Sequence, residues 1–212
     1  MKIISLNTGK KKTYNFDNKV VETAIAKTPV NTDVYLGKLG FSGDEQANPE
    51  LHGGPDKAVC FYPFEHYKYF EQKIKKLPLG AFGENLTVLN MPEISVCIGD
   101  IFQIGEAVLQ ISQPRQPCFK LSLINNIPKM PHMLQETGFT GYYARVLTEG
   151  NINTDSKITL LEKHPENISI DFINKIYFHN AGDLETMEKI LKIPEISDEV
   201  RDVLGRLSGK IK

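Results

Sequence analysis

No segment of the 212-residue sequence comes near the 18 consecutive apolar residues that a membrane-spanning helix requires, and the apolar part of Met1–Leu6 is too short for a secretory signal. Charge of one sign is also lacking. The formal net charge is −1, so no global basic field exists to attract nucleic acid, although a local basic pocket is compatible with that balance. Cysteine is sparse: Cys60, Cys97 and Cys118 are an odd, widely spaced set without a CxxC, which excludes a locally encoded zinc knuckle or thioredoxin-type pair. Reduced thiols in a cytoplasm are the expectation. The sequence has no GxxxxGK[ST] loop, no GxSxG elbow and no HxxxH or HExxH spacing, so a P-loop nucleotide site, an α/β-hydrolase and a helical zinc site are not encoded.

Residues 1–163 read as mainly β. Short apolar segments recur between turn residues at Ile3–Leu6, Asp33–Leu36, Ala58–Tyr62, Leu86–Leu89, Ser95–Ile98, Ile101–Ile104, Ala107–Ser112, Tyr142–Leu147 and Lys157–Leu161, a pattern of barrels and sandwiches. Gly105-Glu106 reads as a two-residue hairpin turn. A helix is expected from about Pro63 to Lys76 and a short one near Lys129–Thr137. After about residue 163 the period changes. Ile168–Phe178, Asp183–Lys192 and Asp198–Lys210 each read as an amphipathic helix, with Asp183 as a cap on the second. Helices this short are marginal alone and should pack together, on the barrel or on another subunit. The expected division is a β-barrel domain over 1–163 and a three-helix domain over 164–212.

Chemistry concentrates in Ser112-Gln113-Pro114-Arg115-Gln116-Pro117-Cys118. Each proline fixes its own φ and pushes the preceding residue toward an extended form, so Arg115 and Cys118, three residues apart, face the same side. One thiol and one guanidinium on a stiff loop suit a ligand with a thiol-seeking atom at one end and an anion at the other. An inert cysteine in a proline turn is the plainer alternative. In His52-Gly53-Gly54-Pro55-Asp56-Lys57 the glycines allow close backbone approach to an anion, with His52 and Lys57 adding charge. In Gly83-Glu84-Asn85-Leu86-Thr87, Asn85 and Thr87 can bind a polar heterocycle or bond their own backbone. Cys60 and Cys97 lie inside apolar segments and read as core residues. His66 and His179 read as surface or capping residues.

Taken in order, Gly43-Asp44, His52-Gly53-Gly54-Pro55-Asp56-Lys57-Ala58, Phe82-Gly83-Glu84-Asn85-Leu86-Thr87, Ile98-Gly99-Asp100 and Gln113-Pro114-Arg115-Gln116-Pro117-Cys118 resemble the MOSC domain, in particular its YiiM-like branch. The resemblance covers roughly residues 1–163, and the C-terminal helices resemble the three-α domain that follows it in that branch. It implies a closed or nearly closed barrel that binds a molybdopterin-type molybdenum cofactor. Cys118 would ligate the metal, Arg115, His52, Gly53, Gly54 and Lys57 would bind the cofactor, and Asn85 and Thr87 would contact pterin or substrate. It further implies reduction of N-hydroxylated compounds such as hydroxylaminopurines, hydroxylamines and amidoximes to amines or amidines. A separate reductase would supply the electrons, and a homodimer is compatible with it. The family also carries an expectation of pyridoxal phosphate binding. Two rival readings stay open: a non-catalytic carrier of the cofactor or of sulfur, and a plain thiol enzyme using Cys118 and His52. The sequence departs from the family at Asn48, where aspartate is common, and at Thr154-Asp155, where Gly-Asp is usual.

Overall fold

The computed structural model describes residues 1–16, 19–48, 53–179 and 184–209. Eight strands form one strongly curled sheet in the order β13-β9-β10-β11-β7-β8-β1-β4. They are β1 (Lys2–Thr8), β4 (Thr28–Val30), β7 (Val59–Pro63), β8 (Leu86–Leu89), β9 (Ile101–Ile104), β10 (Ala107–Pro114), β11 (Tyr142–Thr148) and β13 (Ile158–Glu162). Among the described residues β13 and β4 do not pair with each other, so the sheet is a strongly curled half-barrel, where the resemblance implied a closed or nearly closed barrel. Beside it lie a β2–β3 hairpin (Lys12–Phe16, Lys19–Thr23) and a three-stranded sheet of β12 (Gly150–Ile152), β5 (Val34–Gly37) and β6 (Gly40–Phe41).

Pairing is antiparallel except for β7 and β8, which run parallel, with the helix α1 (Phe64–Lys73) in the connection between them. The Gly105-Glu106 hairpin is present, with Ile104 opposite Ala107. Ser95–Ile98 is not a strand: it forms a turn with a single bridge from Cys97 to Ser169, and Asp100 bonds the Cys97 amide at 2.9 Å.

Two apolar clusters lie on opposite faces of the curled sheet. One holds Phe61, Leu86, Leu109, Ile111, Tyr142 and Ala144. The other holds Tyr62 beneath α1, α2 (Lys120–Asn125) and α3 (Met130–Thr137). β7 is therefore buried along its whole length: Val59 and Phe61 enter the first cluster, and Tyr62, of opposite parity, enters the second.

The C-terminal helices are α4 (Ile170–Phe178), α5 (Leu184–Leu191) and α6 (Asp198–Leu207). The expected cap Asp183 lies outside the described residues. Ile170, Ile173 and Ile176 of α4, Met187 and Ile190 of α5, and Val200 and Leu204 of α6 join the same cluster as the sheet interior. Each such burial is worth about 1.5–3 kcal/mol, which explains how helices of eight to ten residues persist. Ser197 caps α6, accepting the Val200 amide at 3.2 Å.

β10 carries an irregularity that sets up the site. Ile111 faces Ala144, yet Gln113 faces Tyr143 and Pro114 faces Tyr142. Ser112 is thus an extra residue, and this β-bulge reverses the parity of all that follows. Without it Gln113 and Arg115 would share the core face of Ile111; with it they share the face of Tyr143. Ser112 is held from two directions: its hydroxyl donates to the Asp56 carbonyl at 2.6 Å, and its carbonyl accepts the Ser197 amide at 3.3 Å.

Gly141, just before β11, has φ +74, accepts the Arg115 amide at 3.0 Å and donates to Glu93 at 2.8 Å. A Cβ there would lie 2.4 Å from the Phe61 carbonyl oxygen. Gly141→Ala is expected to cost about 3 kcal/mol, read as a lower midpoint in urea denaturation.

Candidate functional site

Strand pairing places Tyr143 opposite Cys60 and next to Gln113. Asn85 adds to the same row, accepting the Cys60 amide on its side-chain oxygen at 3.1 Å, while the Asn85 amide donates to the Cys60 carbonyl at 2.8 Å. Arg115 follows Gln113 along β10. This face of the sheet opens into a cavity of about 630 Å3, counting the open solvent at its mouth. Lys27, Lys57, Cys60, Asn85, Arg115, Cys118, Lys120 and Tyr143 line it, together with Asp44 and Glu45.

Of the residues expected from sequence, Cys118, Arg115, Lys57 and Asn85 converge on this cavity. His52 lies outside the described residues. Gly53 and Gly54 do not line it: Gly54, at φ +94, opens the turn over Pro55–Lys57 and accepts the Lys57 amide at 3.1 Å, so its part is to place Lys57. The pterin contact expected of Thr87 is corrected: its hydroxyl donates to Glu84 at 2.6 Å, accepts from Asn7 at 3.3 Å and is fully buried. Asn85 reaches the wall, yet its amide is engaged by Asp44 at 2.8 Å and the Asn7 carbonyl at 3.3 Å, which makes it a brace.

Two carboxylates brace this wall: Glu84 is buried behind it, and Asp44, its side chain 8% exposed, is part of it. Glu84 accepts from Tyr67 at 2.5 Å, from Thr87, and from the Gly80 and Phe82 amides at 3.1 and 3.2 Å. Asp44 accepts from Lys27, the Gly9 amide at 2.7 Å and Asn85. Such charges survive burial because both oxygens of each carboxylate accept hydrogen bonds. The His66 expectation is also corrected: it is buried, bonded to Glu93 at 2.6 Å and stacked on Phe139 at 3.8 Å.

Arg115 contrasts with these satisfied groups. It is only 4% exposed, and its Nη1 is buried without a hydrogen-bond partner. Burial works against its charge, but Cys60, Tyr143, Cys118 and Glu84 around it outweigh that and raise its pKa. An unmet buried guanidinium is costly, and an anion or strong acceptor placed in the cavity would satisfy it.

Several lining residues escaped the sequence reading, Cys60, Lys27, Tyr143 and Lys120 among them. Cys60 was taken as core, but it is on the cavity wall; burial pushes its thiol up to about 11, with Arg115 pulling the other way. Its alternation with Val59 and Phe61 was the available signal. Lys27 and Tyr143 carried none. Burial, then Cys60, raises the Tyr143 phenol, opposed by Arg115. Cys118 is half-buried, and its carbonyl accepts the Leu121 amide at the start of α2 at 3.1 Å.

The MOSC domain family matches residues 48–159. The chain is 46% identical over 200 residues to YflK, an uncharacterised protein of Bacillus subtilis strain 168, covering 94% of this chain and 90% of that one. It is 36% identical over 196 residues to the YiiM protein of Escherichia coli K12, covering 90% and 87%. A protein of Gibberella moniliformis named reductase is 34% identical over 179 residues, 82% of this chain but 32% of that protein. Among solved structures, YiiM of Geobacillus stearothermophilus superposes with TM-score 0.84 at 38% identity over 98% of both chains. YiiM of Escherichia coli gives 0.79 at 29%, covering 98% of this chain and 93% of that one. With its curled sheet, its motif order and these relatives, the chain belongs to the MOSC domain family, in its YiiM-like branch.

Proposed function

We propose that the cavity holds a molybdopterin-type molybdenum cofactor and that the protein reduces N-hydroxylated compounds to amines or amidines. The observation that carries this reading is the pairing of a half-buried thiol, Cys118, with the buried, unpartnered guanidinium of Arg115 in one cavity. A single thiolate is a soft donor, so a metal held there has to bring its remaining ligands with it, as a dithiolene-bearing pterin does. Arg115 fits the other end, since a guanidinium meets a phosphate through charge-assisted bonds. Membership of the MOSC family and the name reductase on the Gibberella relative lend further support.

The net reaction is R–NHOH + 2 e− + 2 H+ → R–NH2 + H2O. When bound, the cofactor supplies the two-electron chemistry that removes oxygen from nitrogen. Cys118 anchors the metal, and Arg115 and Lys57 hold the phosphate. His52 joins them by resemblance alone. Tyr143 is a phenol protonated at neutral pH in any case, and burial raises its pKa further, so it is a hydrogen-bond donor on the wall. Electrons come from a separate reductase. The setting is cytoplasmic, which the three unpaired thiols support, and among the described residues no helix is long and apolar enough to cross a membrane.

Natively expressed protein is expected to contain molybdenum and pterin and to reduce a hydroxylaminopurine with reduced viologen. Cys118→Ser should lower turnover at least about 100-fold, since a hard, protonated oxygen replaces a soft donor, while Cys97→Ser should not. Full turnover by Cys118→Ser overturns the thiolate assignment, and cofactor binding without any turnover favours a carrier.

Arg115→Met separates binding from folding. It keeps the aliphatic stem and removes a stranded charge, so the apoprotein midpoint should shift by less than about 3 °C, or rise, while cofactor occupancy falls about tenfold or more. Unchanged occupancy removes Arg115 from the site.

Iodoacetamide at pH 8, read by mass spectrometry, should modify Cys118 in the apoprotein and spare Cys60. With its thiol near 11, Cys60 is only about one part in a thousand thiolate at that pH, and its labelling should accelerate roughly tenfold per pH unit toward 11. Bound cofactor should protect Cys118.

A further inference from the structure

The cavity wall carries four cations, Lys27, Lys57, Arg115 and Lys120, against two acids, Asp44 and Glu45. Lys27 is matched inside by Asp44, and Glu45 is matched from outside by Lys10 at 3.0 Å. Lys57 is matched by a residue that does not line the cavity: Glu199, in the first turn of α6. The same Glu199 oxygen accepts from Gln113 Nε2 at 3.0 Å. Two further contacts fix α6 against this corner. Ser197, its cap, donates its amide to the bulge residue Ser112, and Ser112 bonds Asp56, the neighbour of Lys57. Asp56 is in turn held by Arg145 at 2.7 Å. The Lys57 side chain is 12% exposed and that of Glu199 35%, so the pair is only partly screened by water.

We propose that Glu199 is a counter-ion of Lys57 that an anionic group in the cavity must share or displace, so that α6 sets how strongly the site holds a phosphate-bearing ligand. A carboxylate on the far side of Lys57 lowers the positive potential an incoming phosphate meets. A helix outside the cavity wall thereby becomes a specificity-determining element. The inference rests on reading the cavity as an anion site, but not on the identity of the cofactor or on turnover.

The test is titration of the full-length, cofactor-free protein with inorganic phosphate at fixed ionic strength by calorimetry. Glu199→Gln removes the charge and keeps an oxygen that accepts from Gln113, so the thermal midpoint is expected to change little while phosphate binds about fivefold more tightly. In a Lys57→Gln background the same change should have no effect, because the coupling runs through Lys57. Equal or weaker binding by Glu199→Gln overturns the proposal, as does a gain that persists without Lys57, or absence of binding by both proteins. A gain seen in phosphate binding alongside wild-type protein that reduces no N-hydroxylated compound upholds this inference and sinks the reductase reading alone.

Discussion

One extra residue in one strand decides what this protein can hold. The bulge at Ser112 turns the end of β10 over, so that Arg115 leaves the face of Ile111 and Leu109 and enters the face of Tyr143 and Cys60. A guanidinium on the core face would be surrounded by isoleucine, leucine and phenylalanine side chains with nothing to accept from it. On the other face it meets two thiols and a phenol beside an open cavity. The bulge is an expensive local disruption of a ladder, and two elements distant in sequence stabilise it: the turn at Asp56 and the cap of α6 at Ser197.

Around that point the protein separates satisfied charge from unsatisfied charge. Glu84 and Asp44 are buried, but each is enclosed by donors, so they fix the positions of Tyr67, Thr87, Asn85 and Lys27 rigidly. Arg115, itself buried, is left with N–H donors on Nη1 that no group accepts. Among the buried polar atoms without a partner, which also include Gln113 Oε1, Asn174 Oδ1 and the Tyr177 hydroxyl, Arg115 Nη1 belongs to a full charge beside an open cavity, and that combination marks a binding site more clearly than burial does.

Much of the half-barrel was legible because its strands alternate cleanly: Ala107, Leu109 and Ile111 against Val108 and Gln110 gave both the strand and its hairpin. Ser95–Ile98 misled, since an apolar run without alternation is equally a packed turn. The β2–β3 hairpin was missed because its strands are largely solvent-exposed and polar, with no core face to set a period. In the site, Arg115 and Cys118 were visible through the prolines that stiffen their loop. Cys60 was not, because an apolar segment reads as core along its whole length and nothing local shows that one of its faces meets a cavity. The bulge left no trace in composition. Lys27 and Glu199 came from segments whose local pattern says only loop and helix end, and their roles exist only through long-range contact.

The spread of these positions along the chain has a consequence for when the site can exist. Lys27, Lys57, Cys60, Asn85, Arg115 and Tyr143 meet in the cavity, and the brace on Lys57 comes from residue 199. β7 needs β8 on one side and β11, some eighty residues onward, on the other. A chain emerging from the ribosome therefore presents Cys60 and Lys57 long before anything holds them in place. The lining is complete only once β11 has left the exit tunnel, and the contacts of α6 on Lys57 and Ser112 are added last, so the cavity is a late product of synthesis and the earlier nascent chain has its thiols unguarded.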